Sequence, residues 1–435
     1  GGRSETYAWA GGRLDIDLSE GLLSGGVSFD RSAFPDAETN ERWSIGDWFL
    51  ETRRNLQGDD LRLRLGSHYR YVDGNLMDDR SRRGASLRLR DPGGVYDVSL
   101  FALQASQQTG TDNLLGLADD RDRVGGLLAS FRPVPGGALR ATLAGYGGHS
   151  LSLPDGSSGH VQGAGLALSG PIGTGAADFA LSYDRTGWDG NDGPVEGDAL
   201  SAELAFDITP GDAPGTLALT LGYDRIEQDY FSSLNPALVS GEEIVSVELT
   251  RYTLDWDWSV SAAVGQTSVG GDSSQPVDRL GRLAFDVTYA PEVFTGGFLN
   301  GTRFYAGAEI LRQDRIRTPQ GAVGPLDNTI WQFSLGMDRF RPDHSFAILY
   351  TYDIFDDRSG SGQDQRIHGL EGLISFTPTD RFDASLSLDL EQSDGPAGRF
   401  CSVAGSGALR YGMMRDSLTY GVRIGGEGSD EPGLR

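Results

Sequence analysis

The chain has 435 residues and a formal net charge of −25, and all 37 of its basic residues are arginine. Without lysine there is no P-loop phosphate lysine, no Schiff-base amine and no kinase ATP lysine. Nucleic acid is excluded as a partner for so acidic a chain, because phosphate neutralisation drives that binding.

The opening Gly1-Gly2-Arg3 has no apolar signal segment, so the sequence reads as a mature chain or a fragment. No apolar run reaches the ~18 residues of a membrane helix, an absence that a strand barrel would share. Asp15 and Asp17 alternate with Leu14, Ile16 and Leu18 in the first predicted strand. An arginine-rich region follows. Arg62 and Arg64 alternate with Leu61, Leu63 and Leu65, and Arg88 and Arg90 with Leu87 and Leu89. Further on, Leu217, Leu219, Leu221 and Tyr223 alternate with Ala218, Thr220 and Gly222. Trp256, Trp258, Val260, Ala262 and Val264 alternate with Asp257, Ser259, Ser261 and Ala263, and Asp255 precedes them on the polar phase. Near the end, Leu386, Leu388 and Leu390 alternate with Asp383, Asp389 and Glu391 on the polar phase. Period two means strand, because successive side chains point to opposite faces. The hairpin pattern recurs about every forty residues, with no linker or composition break.

Short turns punctuate the strands at 55–59, 91–94, 132–137, 170–173, 210–215, 341–344 and 377–380, each carrying Pro, Gly, Asn or Asp. Longer polar connections are predicted at 73–83, 108–121, 187–198, 229–242, 267–278, 314–327 and 356–366. The strands between run about ten to fourteen residues, enough for a tilted bilayer crossing. Aromatic residues gather near strand ends at Trp48-Phe49, Tyr69/Tyr71, Tyr230-Phe231, Phe304-Tyr305 and Tyr350/Tyr352, as in the girdles of a membrane interface.

On these residues the chain resembles a Gram-negative outer-membrane β-barrel, over nearly its whole length. The resemblance is architectural, resting on dyad repeats, alternating short and long connections, and girdle aromatics. It implies an all-β fold: one large closed antiparallel up-and-down transmembrane barrel over residues 1–435, of about 22 strands within 18–24. It also implies a bacterial outer-membrane location, no cofactor and no catalysis. Outer-membrane lipid and lipopolysaccharide are the expected surroundings, and a plug or periplasmic protein is a candidate partner. The chain departs from the family at its end, trailing from Gly425 to Arg435 with no terminal aromatic strand. With the tight turns in the periplasm, the chain would end outside, so either a final strand is missing, by truncation or because the closing strand lies elsewhere, or the long loops face the periplasm.

If the leucines face lipid, Arg62, Arg64, Arg88 and Arg90 line the lumen as a basic ladder. Asp15, Asp17, Asp255, Asp257, Asp383, Asp389 and Glu391 form an acidic wall. Two consequences stay open: a field across the pore that orients solutes, or pairing between neighbouring strands that holds the wall together. No connection reads as a constriction loop; the longest irregular stretches, near 30–46 and 289–302, are short for that role. The lumen is therefore expected to be wide or filled by a partner.

Catalysis and metal binding are weakly signalled. The five histidines are scattered, and His149-Ser150 is the sole hint of a dyad. The acidic stretches 188–193 and 353–358 lack EF-hand spacing and read as solvated loops. Cys401 is a lone cysteine with no partner for a disulfide, read as a buried or wall residue. The competing architecture is a soluble or surface-exposed all-β binding protein, a propeller or solenoid, whose repeats would hold four short strands where this chain has two long ones.

Overall fold

In the computed structural model the chain is all-β, with no helix among the described residues. The structure describes residues 9–430 apart from 19–22, 33–42, 69–73, 79, 107–112, 135, 174, 192, 211–214, 271–274, 292–300, 319–325, 342, 361, 380–381, 397 and 414–417, and the side chains between Asp47 and Leu409.

The strands are β1 (Trp9–Leu18), β2 (Leu23–Ser32), β3 (Trp43–Leu56), β4 (Asp59–His68), β5 (Arg82–Arg90), β6 (Tyr96–Gln104), β7 (Arg123–Phe131) and β8 (Arg140–Ser150). They continue as β9 (Gly159–Ile172), β10 (Ala177–Gly190), β11 (Gly193–Asp207), β12 (Thr216–Ile226), β13 (Glu242–Tyr252), β14 (Trp256–Thr267) and β15 (Val277–Tyr289). The last are β16 (Thr302–Arg317), β17 (Asp327–Phe340), β18 (His344–Asp357), β19 (Gln365–Thr379), β20 (Phe382–Gly395), β21 (Gly398–Met413) and β22 (Leu418–Asp430). Each pairs antiparallel with its neighbour in sequence, so the topology is up-and-down within one sheet. β1 and β22 run close to each other, with no ladder between them among the described residues. A propeller would divide the strands into separate blades, so that alternative does not describe this fold.

Connections alternate between two rims. One rim carries the tight turns; the other carries most of the long loops. Two expected connections differ. Residues 187–198 are mostly strand, because β10 and β11 pair as far as Gly190 and Gly193. Gly193, at φ +106°, supplies the left-handed conformation that this tight hairpin needs. Conversely, the long connection 290–301 falls on the tight-turn rim, between β15 and β16.

The register sorts the alternation into two faces. On one face, Leu63, Leu87, Leu100 and Leu127 lie side by side across four strands. A second row runs Leu204, Leu221, Val247, Ala262, Leu283, Ile310 and Trp331. Most of these large side chains are exposed, Leu100 to 54% and Leu283 to 50%. The opposite face carries cross-strand hydroxyl pairs, among them Ser387–Ser406 and Ser345–Ser375, both at 2.6 Å. Cys401 is an exposed wall residue on the apolar face of β21.

The buried core lies on the polar face and not between layers. Two loops, the β4–β5 connection at Gly74–Asp78 and the β12–β13 connection at Tyr230–Leu238, fold over the polar face of β6–β10. Leu76, Met77 and Leu234 are sealed against Phe101, Leu103, Val124, Tyr146 and Val161, with Leu234 fully buried. This overturns the expectation that no loop folds inward.

Candidate permeation path

The two inward loops form one latch. Ser232 Oγ donates to the Leu76 carbonyl at 2.5 Å, and the Asn235 amide donates to the Asn75 carbonyl at 2.9 Å. The Asp78 amide donates to the Leu234 carbonyl at 2.9 Å. The latch is tied to the wall as well. The Asn75 amide donates to Asp184 at 2.9 Å, the Phe231 amide to Thr186 Oγ1 at 3.2 Å, and the Trp188 indole to the Asp229 carbonyl at 3.3 Å. Tyr146 Oη shares a 3.1 Å hydrogen bond with Ser232. Loop backbone that leaves water needs such partners, and these are what let the segments seat in a dry site. Space is made at Gly163: a Cβ there would stand 2.6 Å from the Tyr146 ring and 2.7 Å from Leu76.

The arginines of β4 and β5 share the polar face with the latch, but they are largely neutralised. Arg62 pairs with Asp60 at 2.5 Å and reaches Glu51 at 3.9 Å. Arg64 lies 3.6 Å from Glu51 and stacks over the Phe49 ring at 4.4 Å. Arg88 Nε donates to Asp97 at 2.8 Å. Arg90 stands opposite both Asp60 and Asp97 in register. Glu51, with only 9% of its side chain exposed, lies within ion-pair distance of Arg53, Arg62 and Arg64 together. A Glu51→Gln variant is therefore expected to lose about 1–3 kcal/mol, toward the low end for a broken ion-pair network because the arginines keep water contact. A thermal melt of the purified protein reads this directly; an unchanged midpoint would show the network to be idle.

The acidic candidates separate into distinct places. Asp257 lies on the polar face of β14, its carboxylate taking the Thr253 amide at 3.2 Å. Asp255 stands in the β13–β14 turn, beyond the wall. Asp389 faces Glu371 across the β19–β20 ladder, with Glu391 two residues along the same face. Asp383 lies opposite Arg410 and accepts a 3.4 Å contact from Thr377. Asp15 and Asp17 take register positions opposite Gly26 and Ser24 of β2. Reading single strands did not single out Glu248, Asp286 and Glu371, which the register puts on the same face. Among the described residues, Glu248, Asp286, Glu371, Asp389 and Glu391 make no ion pair within 4 Å. One side of the polar face thus has paired charge under the latch, and the other carries carboxylates outside any ion pair beside the Arg282–Glu309 and Arg303–Asp338 pairs.

Other candidates come apart. His149 and Ser150 are consecutive on β8 and point to opposite faces, so no dyad forms. Among the described residues no three His, Cys, Asp or Glu side chains group as a metal site, and Asp353 and Asp356 lie on opposite faces of β18. Tyr230 is a latch residue, 3% exposed, and no girdle aromatic. Tyr69 and Tyr71 lie outside the described residues.

No family model matches the chain, and no curated protein matches it. Solved structures do. A chain of the E. coli P pilus tip assembly intermediate PapC-PapD-PapK-PapG shares 10% identity at a TM-score of 0.44, over 98% of this chain and 61% of that one. This chain thus spans about three-fifths of that protein's length. A BenF-like porin from Pseudomonas fluorescens shares 10% identity at a TM-score of 0.37, over 98% of each chain. The siderophore receptor PirA from Acinetobacter baumannii shares 9% at a TM-score of 0.48, over 98% of this chain and 81% of that one.

Proposed function

We propose that the chain is a passive conduit of the bacterial outer membrane: a barrel of about 22 strands closed between β1 and β22, with the polar face as its lumen. The observation that carries this reading is the unbroken rows of exposed aliphatic side chains, set back to back with a hydroxyl- and carboxylate-lined face. In water the exposed rows would drive association; in hydrocarbon they are at home. Closure follows from the same solvent, since an unpaired strand edge in lipid leaves backbone groups with no partner. The proximity of β1 and β22 supports it.

The band has two limits. At the tight-turn rim, exposed Leu56, Val95, Val134, Ile172, Ile208 and Leu254 carry the apolar surface to the hairpin tips. Toward the long-loop rim the same outward face becomes polar, with Arg185–Glu196 and Gln266–Glu243 contacts. That polar collar fits a headgroup region. The conduit needs no cofactor and performs no chemistry. The latch occupies part of the space that a plug or periplasmic partner would otherwise fill.

Conductance in a planar lipid bilayer tests the reading. Steady channels that prefer cations support it; a protein that stays monodisperse in plain buffer and never inserts would refute it. A paired substitution tests the faces. Leu221→Arg, on the apolar face at mid-strand, is expected to cost about 2–4 kcal/mol in refolding into bilayers. Thr220→Arg, one residue away on the polar face, is expected to be tolerated, and equal costs would show the face assignment to be wrong.

A further inference from the structure

Two of the five histidines stand side by side. His149 is the penultimate residue of β8 and His160 the second of β9, and the ladder sets them directly opposite each other. Their ring centroids are 5.6 Å apart and the planes are nearly perpendicular at 89°. Both are exposed, on the outward face at the long-loop end of the hairpin. Neither ring nitrogen is hydrogen-bonded to a described residue, so the lone pairs are not engaged.

We propose that His149 and His160 form a two-imidazole site for a divalent transition-metal ion of the zinc, nickel or copper type. The spacing suits that chemistry. With metal–nitrogen bonds of ~2.0–2.1 Å, two imidazoles on a tetrahedral ion have centroids roughly 5 Å apart. The observed pair is already within reach, needing only rotation of exposed rings. The antiparallel ladder fixes both Cα positions beforehand, so little backbone freedom is lost on binding. Imidazole also suits these metals better than calcium or magnesium, which take oxygen ligands.

The surroundings set the strength. Arg123 on β7 stands opposite His149 and opposes a cation. Asp189 on β10, one residue past the Trp188–Val161 pair beside His160, favours one. With no third ligand from the described side chains, water fills the remaining positions and the site binds in a modest range. A bound ion would clip β8 to β9, the strands whose other faces hold the latch through Tyr146 and Val161. The site does not depend on whether the barrel conducts.

The test is calorimetric titration of the untagged, chelator-stripped full chain in detergent with zinc chloride, repeated with nickel chloride. One ion per chain is expected near neutral pH, with affinity falling at least ~10-fold in His149→Ala and in His160→Ala. A His368→Gln variant, altered elsewhere on the same face, should bind as the parent does. Heat-modifiable mobility confirms that each variant is folded. The proposal is overturned if the folded parent shows no saturable binding below about 1 mM, or if both alanine variants bind as tightly as the parent.

Discussion

Replacing Leu234 by aspartate is expected to raise single-channel conductance about two-fold, because the latch leaves its seat and the passage widens. Leu234 has no exposed surface and sits among Leu76, Met77 and Tyr146. A carboxylate there must leave water completely, and its desolvation costs several kcal/mol. The strand ladders do not depend on this contact, so the cheaper outcome is an unseated loop in an intact sheet. Leu234→Met, which keeps volume and polarity, should cost under about 1.5 kcal/mol and leave conductance near that of the parent. A folded, inserted Leu234→Asp protein with parental conductance would show that the latch does not bound the passage.

The second large effect concerns charge. Neutralising Glu248, Asp286 and Glu371 together, to Gln, Asn and Gln, is expected to lower the cation-over-anion permeability ratio at least ~2-fold at 0.1 M salt. The arginines of β4 and β5 are already matched by Glu51, Asp60 and Asp97, whereas these three carboxylates make no ion pair among the described residues. On the proposed lumen face, these carboxylates outside ion pairs are what a passing ion would meet. At 1 M salt the screening length shrinks to about 3 Å and the difference should largely vanish. Glu196→Gln, on the outward face, serves as the control and should leave selectivity alone. Reversal potentials across a salt gradient decide the matter: a triple variant as cation-selective as the parent would place the selectivity element elsewhere.

The strands were legible because period two is a direct imprint of a sheet with two chemically different faces. Leu217 through Tyr223 and Trp256 through Val264 declare their faces in the sequence and keep them in the structure. The arginine ladder was legible as a row, since Arg62 and Arg88 do face each other. Its neutralisation was not, because Glu51 and Asp97 come from neighbouring strands whose register no single strand reveals. The latch was the least visible part. Leu76-Met77 and Tyr230-Phe231 sit in segments whose overall polarity reads as loop, and nothing local says that these apolar residues find each other. Asp255 was misplaced by one turn, because an acidic residue at a hairpin tip keeps the phase of the strand it precedes.

The latch also fixes an order of events. Every ladder joins strands adjacent in sequence, so the sheet can grow hairpin by hairpin with short loop closures. The Ser232–Leu76 hydrogen bond, by contrast, spans 156 residues, and its wall anchors lie on β8 and β10 between the two loops. The two loops can meet in their seat only after the strands between them have taken their places, so the dry core forms after the wall it rests on. A protease that cuts between Tyr230 and Leu238 would accordingly act as a clock for assembly, with resistance arriving after the strands between the two loops have paired. Until that moment the polar face of β6–β10 would stand uncovered.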